Sequence, residues 1–185
     1  MFARWMIAIV PTEYEAKVTR IMDVTYKLQV RYIVGITIES FVKFVLLLVC
    51  FVIFGLPLKA SVAASAICAI FNVIPYVGPI IGGLVAIIIG MVSAPPTMVI
   101  SELVTYMIIS MVAFQILDNI VLQPYIYASS VKAHPLEIFI VIIMAGYIAG
   151  VWGMLFAIPV YTLIRVLAKE FLSKLKIVRD LTTNL

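Results

Sequence analysis

Charge is scarce in this chain. Only 12% of its 185 residues are Asp, Glu, Lys or Arg, whereas 65% are hydrophobic, and the mean hydropathy is +1.22. A soluble domain carries about twice that charge fraction and roughly 45–50% apolar residues. No water-facing surface can be assembled from what remains, so a soluble globular domain is excluded. Histidine is nearly absent: His134 stands alone, which rules out the His-Glu-x-x-His arrangement of zinc proteases. The two cysteines, Cys50 and Cys68, lie in apolar stretches without metal-like spacing and read as reduced packing residues. The sequence also lacks a Walker loop, a Cys-x-x-Cys pair and a Gly-x-Ser-x-Gly elbow. Asp118 is the single aspartate in the apolar spans, too few for an intramembrane aspartyl protease. The expectation is a protein that is not an enzyme and uses neither metal nor cofactor. Any transport would then draw on a solute or ion gradient, or on passive flow.

What is abundant is oil. In lipid every backbone polar group must be paired internally, so only helices or closed barrels span. Apolar runs such as Phe41–Phe54, without strict alternation, decide for helices. The 13 cations gather at the ends: Arg4, Lys17, Arg20, Lys27 and Arg31 at the start, then Arg165, Lys169, Lys174, Lys176 and Arg179. Between them stand only Lys43, Lys59 and Lys132. The positive-inside bias places both ends in the cytoplasm and requires an even number of crossings. These cations flank apolar segments and form no dense run, so nucleic acid is not an expected partner. Trp5–Val10 is too short for the apolar core of a signal peptide and ends at Pro11.

Three regions follow. Residues 1–31 contain an amphipathic helix, 12–31, capped by Thr12 with Glu13 and Glu15 in its first turn, which lies in the cytoplasm or at the interface. Residues 32–172 form the membrane domain, and 173–185 a basic cytoplasmic tail. Within the membrane domain, Ile33–Phe54 and Met98–Leu117 are long enough to span. Ala60–Val92 is too long, about 50 Å as a straight helix, and holds Asn72-Val-Ile-Pro75-Tyr-Val-Gly78-Pro79 in its middle. Leu136–Lys169 is similarly long and is interrupted by Gly146, Gly150, Gly153 and Pro159. Proline and glycine break the helical ladder, so each stretch predicts two shorter helices joined by non-helical backbone. The fold class is thus all-α: a polytopic helical membrane protein with two Gly/Pro-interrupted hairpins, re-entrant or broken. Either all four apolar stretches cross, or the interrupted ones dip in and return. The two topologies differ over Gln123–Pro135, where Lys132 favours the cytoplasmic side and hence hairpins.

Interrupted helices at membrane depth are tolerated where protein buries them or a polar cavity wets them, and paired interruptions point to a transporter's binding site. The alternative is an ordinary kinked helix. Asn72 could bind a solute or cation, or cap the broken helix. Gln115, Asp118 and Asn119 share one helical end; a carboxylate beside amides suits a proton or sodium relay, and equally a polar helix end at the headgroups. Glu39 and Lys43, four apart, read as a structural pair near the interface. His134, before Pro135, reads as a turn residue. Gly78-x-x-x-Gly82, Ala86-x-x-x-Gly90 and Gly146-x-x-x-Gly150 let helices approach closely.

These motifs resemble a known family. Asn72 through Gly82 looks like the central signature of the AI-2E transporters. Gln115-Ile-Leu-Asp-Asn119, Val121-Leu-Gln-Pro124, Ser130-Val131 and His134-Pro-Leu136 follow in order, and then Gly150-Val-Trp-Gly-Met-Leu-Phe-Ala-Ile-Pro159. The resemblance covers nearly the whole chain. It implies a multi-spanning protein of the bacterial inner membrane, a homo-oligomer, associated with export of the quorum-sensing signal autoinducer-2 or with sodium/proton antiport. Its site residues would be Asn72, Pro75, Gly78, Pro79, Gln115, Asp118 and Asn119, with the helix breaks at Gly146, Gly150, Gly153 and Pro159. Ala128 departs from an expected glycine. Family members carry further spans ahead of the amphipathic helix, so a missing N-terminal transmembrane half is expected as a partner, besides the lipid bilayer and a small polar solute or Na+/H+. A scaffold subunit that transports nothing is the remaining alternative.

Overall fold

The computed structural model describes residues 12–122 and 134–172. The opening segment, the stretch holding Pro124, Ala128, Ser130, Val131 and Lys132, and the basic tail lie outside the described residues, as does the stretch that separates the two topologies. Among the described residues every regular element is helical: α1 (Thr12–Ile53), α2 (Leu58–Phe71), α3 (Val77–Val92), α4 (Ile100–Leu117) with a π-helical turn Asp118–Leu122, and α5 (Pro135–Leu172).

The amphipathic lead-in and the first apolar span, expected as separate helices, form one element. Between Thr12 and Ile53 there is no proline and one glycine, Gly35. A single interior glycine costs only about 1 kcal/mol relative to alanine, too little to divide the helix. At 42 residues, α1 is about 63 Å long, twice the roughly 30 Å hydrocarbon thickness. Gly55, at φ +88, ends it. Leu56 N–H reaches Phe51 O at 3.0 Å and Gly55 N–H reaches Val52 O at 3.0 Å, the paired bonds of a Schellman cap that only a left-handed residue completes.

The chain divides into two compact units, Val34–Ile126 and a second made of Met1–Ile33 with Tyr127–Leu185. In the first, Leu47 and Phe51 of α1, Ala60, Ala64 and Cys68 of α2, Ala86 of α3, and Leu103, Met107 and Phe114 of α4 form one apolar core. Helices α2 and α3, of 14 and 16 residues, measure about 21 and 24 Å, each short of a full crossing. They pack against one another through the glycine face of α3. A Cβ on Gly78 would collide with the Phe71 carbonyl oxygen, and one on Gly82 would sit 3.2 Å from Cys68 Cα. The small residues at these positions therefore set the spacing of the pair. The turn between them closes through Gly78 N–H to Ile74 O at 2.9 Å, and Tyr76 adopts φ +64, a left-handed conformation rare for a bulky residue.

In the second unit, α5 is non-helical at Ala149 and Gly150, where Gly150 has φ +58 and ψ −142. Tyr161 OH donates to Glu137 Oε2 at 2.6 Å; a straight helix would hold residues 24 apart about 36 Å from one another. The chain therefore reverses at Ala149–Gly150. Of the four residues expected to interrupt this stretch, only Gly150 does so; Gly146, Gly153 and Pro159 lie in helical backbone. The first two serve the reversal by their size. A Cβ on Gly146 would strike the Met154 side chain and one on Gly153 the Ala145 carbonyl. In this unit also, Arg20 and Glu170 approach to 3.9 Å. They border a cavity of about 160 Å³ walled by Ile21, Val24, Leu28 and Val166.

Among the described residues three helical stretches are long and apolar enough to cross a membrane: Glu15–Ile53, Ile100–Leu122 and Leu136–Glu170. The reversal makes the last of these two legs rather than one rod.

Candidate functional site

Along α1 in the Val34–Ile126 unit, Ile36, Glu39, Lys43, Leu47 and Phe51 are all buried. Steps of three and four residues put them on one face of the helix. Two charges thus occupy positions that the helix elsewhere gives to its inward apolar side chains. Glu39 and Lys43 are each 3% exposed, Asn72 is 4% exposed and Asp118 1%. Burial of this depth is costly for ionised groups unless each is paired.

The pairing is supplied by Asn72. Lys43 Nζ donates to Asn72 Oδ1 at 2.7 Å, and Asn72 Nδ2 donates to Glu39 Oε1 at 2.7 Å. An amide offers one acceptor and two donor hydrogens, so a single side chain serves an ammonium and a carboxylate at once. The reverse amide orientation would aim NH2 at the ammonium, so the charges fix it. Asn72 is also the C-terminal cap of α2, with its backbone N–H on Cys68 O at 3.2 Å. The helix break and the charge pair are therefore one object: the residue that ends α2 is the residue that holds α1's charges.

Around this bridge, Lys43 Nζ lies 5.1 Å from the centroid of the Phe114 ring, a cation–π contact strengthened by dehydration. Asp118 opens the π-helical turn, and its carboxylate comes within hydrogen-bonding reach of Glu39. A π-turn inserts an extra residue per turn and re-aims the side chains that follow, a device found often at functional sites. Gln115 Nε2 reaches Asp118 Oδ2 at 3.5 Å and Asn119 Oδ1 at 3.2 Å. Glu39 Oε2 is buried and accepts no hydrogen bond among the described residues.

Among the residues expected from sequence, the structure brings Asn72 and Asp118 into one buried cluster. Gln115 is half-buried at its edge and Asn119 is exposed. Pro75, Gly78 and Pro79 lie in the turn between α2 and α3 and at the start of α3. Glu39 and Lys43 are the residues that sequence reasoning undervalued. Among the described residues no ion pair joins them directly; Asn72 bridges them in the interior of the unit. Their signal was available as the spacing they share with Ile36, Leu47 and Phe51. Among the described residues no three His, Cys, Asp or Glu side chains converge as metal ligands.

Comparison with known proteins agrees with this architecture. A family model described as AI-2E family transporter matches residues 1–173. The chain is similar to two candidate transport proteins of Bacillus subtilis (strain 168). It is 35% identical to YueF over 115 residues, 62% of this chain and 29% of that protein. It is 31% identical to YrrI over 142 residues, 76% of this chain and 38% of that protein. Over 51 residues, 28% of this chain and 14% of the relative, it is 41% identical to the candidate permease PerM of Escherichia coli (strain K12). The chain thus spans well under half the length of these relatives. No solved structure matches.

Proposed function

The chain belongs to the AI-2E transporter family, and on that premise we propose that it moves a small polar solute, of the autoinducer-2 kind, across the bacterial inner membrane at the expense of an ion gradient. One observation carries the reading: Glu39, Lys43, Asn72 and Asp118, all at most 4% exposed, meet at the break of two half-length helices. Ionisable groups inside a membrane segment are expensive and mark transport or relay sites. A packing role would be served better by apolar side chains of the same volume.

The physical coupling runs through Asn72. Displacing the α2–α3 pair relative to α1 draws the amide away from Glu39 and Lys43, and the two charges must then find water, solute or each other. A hairpin of two sub-length helices is the mobile part of such a device, because neither leg is anchored across the whole bilayer. In this reading α2 and α3 enter and leave from one side, both chain ends are cytoplasmic, copies associate as a homo-oligomer, and further spans complete the transporter. The large apolar side chains exposed along α1, α4 and α5 are available for lipid and for those partners.

Efflux of labelled autoinducer-2 from proteoliposomes under an imposed pH or sodium gradient tests the proposal. Asn72→Ala and Asp118→Asn should each reduce it at least tenfold; unchanged efflux in both removes the cluster from the mechanism. A second reading, sodium/proton antiport, is favoured by the meeting of two carboxylates. It calls for sodium-dependent proton flux that Asp118→Asn abolishes, without solute. A scaffold that carries nothing would show no flux of either kind when further spans are supplied.

A further inference from the structure

The cavity in the second unit, about 160 Å³, shares no residue with the buried cluster and combines charged with apolar lining. Arg20, Lys169 and Glu170 border it, and Ile21, Val24, Leu28 and Val166 form its walls. Steps of three and four residues put Ile21, Val24 and Leu28 on one face of α1, over about 10 Å of helix. Past the cavity both helices lose their charges. Beyond Arg31, α1 carries none until Glu39, and α5 carries none between Glu137 and Arg165. An uncharged run of that kind belongs in hydrocarbon and cations mark where it leaves, so the turn Arg165–Glu170 falls at the level of lipid headgroups.

Two polar groups here are short of hydrogen bonds. Thr25 is 8% exposed, four residues from Ile21 and three from Leu28, and its Oγ1 has no hydrogen-bond partner among the described residues. The hydroxyls of Thr19, Thr105, Ser110 and Thr162 each donate to the carbonyl four residues back. Thr25 departs from that habit, and a buried hydroxyl without a partner is unfavourable. Arg20 meets Glu170 at 3.9 Å, beyond hydrogen-bonding distance, and a guanidinium fork matches a phosphate in two bonds. The sequence of this unit, Met1–Ile33 with Tyr127–Leu185, holds eleven Lys and Arg against six Asp and Glu. That excess of cations favours an anionic lipid over a zwitterionic one.

We propose that this cavity is a binding site for one anionic phospholipid. The phosphate lies against the Arg20 guanidinium, and an ester oxygen of the glycerol backbone accepts the Thr25 hydroxyl proton. The first carbons of one acyl chain lie against Ile21, Val24, Leu28 and Val166. An apolar cavity of about 150 Å³ holds a benzene-sized ligand, so roughly six carbons of the chain enter and the rest stays in the bilayer. A free anion would leave these apolar walls bare, and a wholly apolar molecule would leave Arg20 and Thr25 as they are. Basic pockets beside membrane helices are recognised sites for acidic headgroups, and the chain contact adds selectivity that a basic surface alone lacks. The site does not depend on the transport reading, and its test counts bound lipid rather than flux.

The full chain in detergent micelles is titrated with phosphatidylglycerol or with phosphatidylcholine of the same acyl chains, and native mass spectrometry gives Kd for the first lipid bound. The wild type should bind phosphatidylglycerol about fivefold more tightly, the contribution of one basic residue at an anionic surface. Arg20→Gln, at a side chain 69% exposed, should remove that preference without disturbing the fold. Val24→Phe fills the cavity, changes no charge, and should weaken phosphatidylglycerol binding by a similar factor. Millimolar inorganic phosphate should not displace the lipid. Equal affinity for the two lipids in the wild type overturns the proposal, and so would be the result if another part of the chain filled the cavity. An unaltered Kd in folded Val24→Phe overturns it in favour of a merely basic surface, and displacement by phosphate in favour of a plain anion site. The wild-type comparison and Arg20→Gln decide the matter even if Val24→Phe fails to fold.

Discussion

Replacing Asn72 by leucine tests the bridge most directly. The two side chains share a four-heavy-atom shape branched at Cγ, so the replacement keeps the outline of the residue while both polar links vanish. Lys43 Nζ loses the acceptor at 2.7 Å and Glu39 loses the donor at 2.7 Å. A hydrogen bond to a charged group contributes about 1.5–3 kcal/mol, so the pair of losses should destabilise the fold by ~3–6 kcal/mol. The apolar interior gives neither charge another partner without rearrangement. Unfolding in mixed micelles of rising SDS fraction, followed by circular dichroism, measures the difference. A companion variant separates structure from function: Glu39→Leu/Lys43→Met/Asn72→Leu/Asp118→Asn removes the charges with the bridge. Well-packed apolar replacements of a buried ionic set are often neutral or stabilising by about 1–4 kcal/mol, so this variant should regain wild-type stability or exceed it, and yet carry no transport. If Asn72→Leu unfolds within ~1 kcal/mol of the wild type, or if the full replacement is as damaging as the single one, the bridge does not bear on the fold as derived.

Gly78→Ala should separate α2 from α3 because its methyl meets the Phe71 backbone carbonyl; double electron–electron resonance between labels at Ile70 and Ile80 would show an unchanged distance if the contact is not made. Tyr76→Gly relieves a left-handed backbone at φ +64 and should stabilise by about 1 kcal/mol, read by the same unfolding assay, where a loss of stability would contradict it. Tyr161→Phe removes the 2.6 Å bond to Glu137 across the α5 reversal and should cost about 1 kcal/mol, with no additional cost when combined with Glu137→Gln; additive costs would mean the two side chains do not meet. Cysteines placed at Lys59 and Ser93 should be labelled by an impermeant maleimide from one side only and from the same side. Labelling from opposite sides would replace the re-entrant arrangement of α2 and α3 by a full crossing.

Local chemistry set much of this protein without reference to tertiary contacts. Hydropathy selected lipid as the solvent and helix as the only available backbone, because both depend on residue type and not on neighbours in space. The Pro75–Pro79 segment had to interrupt the helix, since ring closure acts on a residue's own φ and ψ, and Gly55 could end one because without a Cβ it adopts positive φ at no steric cost. Choosing among several weak breakers was a different matter. Gly146, Gly150, Gly153 and Pro159 are alike as symbols, yet only Gly150 departs from helical backbone, because the packing of the two legs selects one reversal point and uses the neighbouring glycines for clearance. The buried cluster depended on tertiary structure most of all. Spacing alone placed Glu39 and Lys43 on one face of α1, but their burial came from the assembled unit, and Asn72 is 33 and 29 positions away from them. A charge's partner is fixed by which helices meet and at what register, and that energy belongs to the assembled bundle rather than to any one segment.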